Sequence, residues 1–139
     1  MADVIRVNLR DIVGKEERLA PGHRFCAVCA EPAVLRQILH AVDAPIVVGT
    51  ATGCVEISTS GYPYSAWRTP WIHSAFENVA TTIAGAESAY KALKRAGKIP
   101  ADKEIKFLAI GGDGASYDIG LQWISGALER GHNMVYVCL

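Results

Sequence analysis

The stretch that decides the fold is Lys106 to Gly120, KFLAIGGDGASYDIG. Its apolar run, Phe107-Leu108-Ala109-Ile110, ends in Gly111-Gly112-Asp113-Gly114, and an amphipathic segment follows at once. That order predicts a buried strand, a tight turn and the start of a helix. Glycines let the backbone approach a ligand closely, and N–H groups at a helix start favour anions. A carboxylate set between glycines suits a divalent cation bridging to phosphate oxygens, because Mg²⁺ prefers one or two carboxylates together with phosphates. On these residues alone two readings stand: a metal–diphosphate turn, or a plain strand-to-helix turn in which Asp113 caps the next helix.

Upstream, Ile46-Val47-Val48-Gly49 reads as a short buried strand, followed by the small-residue loop Thr50-Ala51-Thr52-Gly53-Cys54. Before it, Glu31 to Val42 predicts a helix: Pro32 suits the first turn, and Val34, Leu35, Ile38, Leu39 and Val42 recur at helical spacing. Gly61 to Trp71, GYPYSAWRTPW, is rich in aromatics and prolines and predicts irregular structure. Ser74 and Glu77 form a capping-box pattern that opens a long helix. Its expected apolar stripe is Phe76, Val79, Ala80, Ile83, Ala84, Tyr90 and Leu93, and Gly97 lies just past its end. Downstream of the turn, a helix carrying Ile119, Trp123, Ile124, Ala127 and Leu128 closes near Gly131, and Met134 to Leu139 reads as a last strand. Continuous apolar strands alternating with helices predict an α/β fold, a parallel sheet with helices on both faces. Ligands in such sheets sit beyond the carboxyl ends of the strands, which puts Thr50–Cys54 and Gly111–Gly114 in play.

The 139 residues suit one domain, here 23–139, preceded by a charged, weakly patterned arm over 1–22. Half of the residues are hydrophobic, which argues against disorder. Fourteen basic residues balance fourteen acidic ones, so charge gives no argument for nucleic acid or a membrane surface. No apolar stretch approaches a membrane span, and the first residues lack the apolar core of a signal peptide. A cytoplasmic protein is the expectation. The chain stops at Leu139, where another ligand-binding loop is expected, so the domain reads as incomplete at its C-terminus.

Four cysteines, Cys26, Cys29, Cys54 and Cys138, are few for a disulfide scaffold. Cys26-x-x-Cys29 in a reducing compartment points to metal or redox chemistry, and Cys54 adds a third soft ligand; buried free thiols are the bland alternative. Cys138, inside an apolar run, reads as a small core residue. His23 precedes the cysteine pair, Arg68 lies near these loops, and His73 stands just before a helix start, a suitable place to meet phosphate. His40 and His132 fall into no constellation. Tyr62, Tyr64, Trp67 and Trp71 suit a pocket, a subunit interface, or a rigid loop packed on its own domain.

Several motifs occur in order: Gly22-His23-Arg24-x-Cys26-x-x-Cys29-x-Glu31, Gly53-Cys54, Tyr64-Ser65-Ala66-Trp67, Ala75-Phe76-Glu77-Asn78 and Gly112-Asp113-Gly114. Together they resemble the thiamine-diphosphate-binding β subunits of the pyruvate synthase (pyruvate:ferredoxin oxidoreductase) family, over residues 20–139. The resemblance implies the thiamine-diphosphate-binding fold and a CoA-dependent oxidative decarboxylation of pyruvate to acetyl-CoA and CO₂. It implies thiamine diphosphate, Mg²⁺ and a [4Fe–4S] cluster as cofactors, and other subunits of the complex (α, γ and δ type), ferredoxin, pyruvate and coenzyme A as partners. Cys26, Cys29 and Cys54 match three cluster ligands, and Asp113 matches a Mg²⁺ ligand with Gly112 and Gly114 against the diphosphate. Glu31 matches a glutamate near the cofactor, His73 a phosphate-side histidine, and Gly53 and Cys54 belong to the same cofactor-facing loop.

Two departures stand out. The family usually has Cys-x-Gly-Cys-Gly, whereas Val28 and Ala30 replace both glycines here. A β-branched residue fits poorly where a cysteine loop uses glycine for backbone freedom. By the same resemblance, the fourth cluster cysteine, the rest of the Mg²⁺ shell and the glutamate that activates the cofactor lie outside these residues, so the isolated chain is expected to be inactive. Two alternatives remain: a non-catalytic metal-binding or assembly module of the same fold, and a related oxidoreductase for another 2-oxoacid.

Overall fold

The computed structural model describes residues 9–61 and 63–139. Among the described residues four parallel strands form one sheet: β1 (Ile46–Ala51), β2 (Trp71–Ser74), β3 (Lys106–Gly111) and β4 (Val135–Cys138), in the spatial order β2-β1-β3-β4. The helices are α1 (Leu9–Val13), α2 (Glu31–His40), α3 (Cys54–Thr59), α4 (Val79–Arg95) and α5 (Leu121–Glu129), with a π-helical turn over Gly114–Asp118.

The sheet is covered on both faces, as its apolar strands require. On one face Ile46, Val48, Leu108 and Ile110 pack under Leu35 and Leu39 of α2 and Val55 of α3. On the other, Ala51, Phe107 and Ala109 pack under Val79 and Ile83 of α4. A Cβ at Gly49 would stand 2.7 Å from the Ile83 side chain, so the missing side chain in β1 lets α4 settle close to the sheet. Leu35, Val48, Val79 and Ile83 are wholly buried, and truncating Leu35 or Ile83 to Ala is expected to cost about 2–5 kcal/mol. Glycines with positive φ end two helical segments as expected, Gly97 at 69° and Gly131 at 63°.

Of the arm expected over 1–22, residues 1–8 lie outside the described residues. Leu19 is buried in the core and forms an antiparallel bridge with Trp67, flanked by Ala20 N–H to Ala66 O at 2.7 Å and Arg68 N–H to Arg18 O at 2.9 Å.

Three local expectations are corrected. Trp71 does not belong to an irregular loop: it opens β2, pairing with Val48, and the strand has no apolar run because it lies at a sheet edge with Ile72 and His73 exposed. Ser74 is not a helix cap; it ends β2, its hydroxyl meets Asn78 Oδ1 at 2.5 Å and Thr82 Oγ1 at 2.7 Å, and α4 starts only at Val79. Thr50 and Ala51 complete β1 instead of entering a loop, and Cys54 begins a short helix absent from the expected element order. Trp67 and Trp71 pack their rings parallel at 6.4 Å, with Trp67 buried; Tyr64 is exposed, and Tyr62 lies outside the described residues. Among the described residues no helix is long and apolar enough to cross a membrane.

Candidate functional site

β1 sits between β2 and β3, and the chain crosses from the β2 side of β1 to its β3 side. The segment leaving β1 enters α3, whose Val55 joins the core on the α2 face. The segment leaving β3 enters the π-helical turn, whose Ala115 joins the core on the α4 face. Adjacent loops therefore part toward opposite faces at the topological switch point between β1 and β3, the place beyond the carboxyl ends where sheets of this kind take ligands. Thr52, Gly53 and Cys54 stand on one side of it, and Gly112, Asp113 and Gly114 on the other. α2 leads by a short connection into the start of β1, so its own first residue, Glu31, lies toward this same edge with the Cys26–Cys29 turn before it.

The turn after β3 is fixed from below. Ser116 donates its hydroxyl to Gly112 O at 2.7 Å and its N–H to the same oxygen at 3.0 Å, and its hydroxyl meets that of Tyr136 at 3.0 Å. Burial pushes the Tyr136 hydroxyl above its ordinary value, so it stays protonated and available for that bond. Asp113 is exposed, and its Oδ1 accepts the Gly114 N–H at 2.8 Å. This contact is to the very next residue, so Asp113 gives only local capping and keeps its outer oxygen toward solvent. Above Gly112 the nearest atom to a built Cβ is Leu139 O at 3.8 Å, so the backbone there is open to close approach. Above Gly114 the space is taken by Phe76, whose Cζ would lie 2.8 Å from a Cβ. Phe76 thus covers the turn, where the sequence pattern had put it on the α4 stripe.

His73 is held from three directions. Its Nε2 lies 2.9 Å from Thr52 Oγ1, its ring stacks on Trp71 at 6.4 Å, and its Nδ1 lies 3.7 Å from Glu56 Oε1. Glu56 is buried and also accepts the Ser60 hydroxyl at 2.6 Å. Thr52 lies in the Thr50–Cys54 stretch expected to meet a ligand, whereas Glu56 was not singled out by sequence reasoning; the only available signal was its place beside Gly53-Cys54 at a strand end.

The four cysteines are free thiols: Cys26 and Cys54 exposed, Cys29 and Cys138 half-buried. Cys29 N–H donates to Cys26 O at 3.1 Å, closing a tight turn in which Val28 takes φ 66° and points wholly into solvent. Among the described residues no three His, Cys, Asp or Glu side chains form a group able to hold a metal ion, so Cys26, Cys29 and Cys54 are not gathered into one ligand set. Cys138 lies against Tyr117, whose hydroxyl is held above its ordinary value by its bond to that thiol. Among the described residues Glu31 Oε2 is buried without a partner, an unusual state for a carboxylate oxygen.

No protein-family model matches the chain. Pyruvate synthase subunit PorB of Thermotoga maritima is 56% identical over 127 residues, covering 88% of this chain and 39% of that protein. The PorB subunit of Methanocaldococcus jannaschii is 51% identical over 123 residues, covering 88% of this chain and 41% of its own length. A ketoisovalerate oxidoreductase subunit VorB of Pyrococcus abyssi is 37% identical over 122 residues, again covering 88% of this chain and 39% of the relative. The chain belongs to the family of pyruvate synthase PorB subunits and spans about two fifths of the length of the curated relatives it matches.

Proposed function

We propose that this chain supplies one side of a thiamine diphosphate–Mg²⁺ site, and part of a [4Fe–4S] site, in a pyruvate synthase that makes acetyl-CoA and CO₂ from pyruvate and CoA and passes electrons to ferredoxin. The observation that carries the reading is the switch point between β1 and β3, with Gly112-Asp113-Gly114 leaving one strand and Gly53-Cys54 leaving the other. The donor set suits the diphosphate half. An exposed carboxylate with one oxygen outward offers a hard ligand for Mg²⁺, and the open backbone at Gly112 admits an anion to hydrogen-bonding distance. The orphaned Glu31 Oε2 fits a group that brings a hydrogen-bond donor.

Thiamine diphosphate, when bound, supplies the carbanion and the electron sink for decarboxylation. The chain's own part is to hold and orient: Asp113 takes the cation, Gly112 presents open backbone to the diphosphate while Gly114, covered by Phe76, shapes the turn, and His73, steadied by Thr52 and Glu56, faces its charge. The cluster is a different matter. The three thiols do not converge, so this reading needs the Cys26–Cys29 turn to close toward Cys54 and a further ligand from outside these residues, and no electron-transfer step is derived from the present arrangement. The other subunits, ferredoxin and a cytoplasmic setting belong to the same proposal. Pyruvate is favoured over a branched 2-oxoacid by the higher identity to PorB than to VorB.

Titration with Mg²⁺ and thiamine diphosphate, followed by tryptophan fluorescence or calorimetry, tests the diphosphate half. Asp113→Asn is expected to weaken Mg²⁺-dependent binding at least tenfold; unchanged affinity would leave Asp113 as a turn residue and sink the reading. Anaerobic reconstitution with iron and sulfide tests the other half, and binding of one zinc with no iron would favour the metal-module alternative.

A further inference from the structure

A recess of about 210 Å³ opens between the segment that precedes the cysteine pair and the end of α3, and neither Asp113 nor Cys54 lines it. Its walls include Gly22, His23, Arg24, Ser58, Gly61 and Tyr64, and no Asp or Glu is among the described lining residues. Arg24 is anchored by its own N–H, which donates to Ser58 O at 2.7 Å. Its guanidinium lies flat against Gly61: a Cβ built there would stand 2.8 Å from Cζ, 3.0 Å from one terminal nitrogen and 3.1 Å from Nε. No carboxylate pairs with it among the described residues. His23 packs edge-on against Phe25 at 5.1 Å, and its Nδ1 is buried with no partner among the described residues. An exposed guanidinium without a carboxylate partner, at a recess that also has His23 and Ser58 in its walls, offers the planar fork that oxyanions recognise.

We propose that this recess binds a compact oxyanion, a phosphate or carboxylate group, with the Arg24 fork as its main donor and His23 and Ser58 in the walls beside it. The volume is below that of pockets that enclose whole drug-sized ligands, so it admits one charged group. The remainder of a larger molecule would lie outward across the exposed Tyr64 ring. This inference stands apart from the cofactor reading and can fail without it.

The test is an NMR titration of the chain in chloride buffer with inorganic phosphate, adenosine 3′,5′-bisphosphate and acetate, following arginine Nε–H and histidine ring resonances. Saturable binding of at least one probe is expected. Arg24→Gln should weaken it at least fivefold, and Gly61→Ala, whose methyl occupies the place of the guanidinium, should do the same. Arg24→Lys, which keeps the charge and loses the fork, should fall between. Unchanged unfolding midpoints in the two arginine variants would separate loss of binding from loss of fold. Bisphosphate binding tighter than phosphate, with the difference removed by Tyr64→Ala, would identify a nucleotide source; equal affinities would identify the phosphate group alone, and preference for acetate a carboxylate. No saturable binding of any probe, or undiminished affinity in Arg24→Gln, would overturn the proposal.

Discussion

Thr52 Oγ1 lies 2.9 Å from His73 Nε2, which ties the loop leaving β1 to the last residues of β2. The register makes this possible, since Thr50 pairs with His73 and the chain is only two residues further on at Thr52. With Trp71 stacked on one side and Glu56 at 3.7 Å on the other, the ring is oriented before any ligand arrives. A histidine facing a bound diphosphate contributes a charge-assisted hydrogen bond, so His73→Ala is expected to weaken Mg²⁺–thiamine diphosphate binding about tenfold. Thr52→Val, which keeps the shape and removes the hydroxyl, should give a smaller loss of about two- to threefold, through the ring's orientation alone. Calorimetry on both variants checks the order; wild-type affinity in His73→Ala would remove the residue from the site.

The parts of this arrangement that could be read from sequence are those written in neighbouring residues. The turn at Gly112-Asp113-Gly114 announces itself because a buried strand of a parallel sheet is a continuous apolar run and its end is marked by glycine. β2 does not, because an edge strand of four residues with His73 and Ile72 exposed carries no such run. The Ser74/Glu77 pattern matched a capping box, yet pairing of Ser74 with Ala51 in the sheet outweighed that local preference. The cysteine spacing was plain, whereas convergence of the three thiols depends on how the turn at residues 26–29 lies relative to α3, which no spacing specifies. Glu87 and His132, 45 positions apart, meet only through the packing of α4 on α5.

Val28 sits at φ 66°, in the left-handed region where a β-branched residue is a true outlier. The left-handed conformation costs an L-residue roughly 1–2 kcal/mol, while glycine loses about 0.5–1 kcal/mol of extra chain entropy on folding. Val28→Gly should therefore stabilise the fold by about 0.5–1 kcal/mol, read as a shift in the urea midpoint with unchanged slope. Val28 is fully exposed, so no packing is lost in the exchange. Ala27→Gly, one residue away and without positive φ, should give no gain; equal effects at both positions would show that the backbone conformation at Val28 is not the cause.

The Glu87 carboxylate is buried in α4, where it accepts from Lys91 Nζ at 2.5 Å, His132 Nδ1 at 3.0 Å and Asn133 N–H at 3.4 Å. Burial pushes its pKa up, but the bonds from Lys91, His132 and Asn133 together outweigh burial and hold it below the ordinary 4.5. The unfolded chain then takes up this proton at a higher pH than the folded one. The stabilisation is thus complete above about 4.5 and is lost as pH falls through the depressed folded value. Glu87→Gln should cost on the order of 2 kcal/mol at pH 7, and the gap between variant and wild type should narrow below pH 4.5. Urea unfolding at a series of pH values gives the comparison. A gap that widened on acidification would mean that the carboxylate is not the stabilising form.

Gly120 closes the π-helical turn that leads from the Asp113 loop into α5, and it does so at a point where no side chain fits. A Cβ there would lie 1.6 Å from Ala115 O and 2.9 Å from Glu77 O, both backbone atoms that cannot swing aside. Gly120→Ala is expected to destabilise the fold by more than about 3 kcal/mol, because the turn itself must be rebuilt. Gly85 provides the contrast within the same molecule. It is exposed in the middle of α4 with nothing within 4 Å of a built Cβ, so Gly85→Ala should stabilise by about 0.5–1 kcal/mol through helix propensity alone. Thermal unfolding of the two variants should therefore move in opposite directions. If Gly120→Ala melted with the wild type, the turn would have to relax without strain, and the positions of Asp113 and Gly114 above it would not depend on the π-helical geometry.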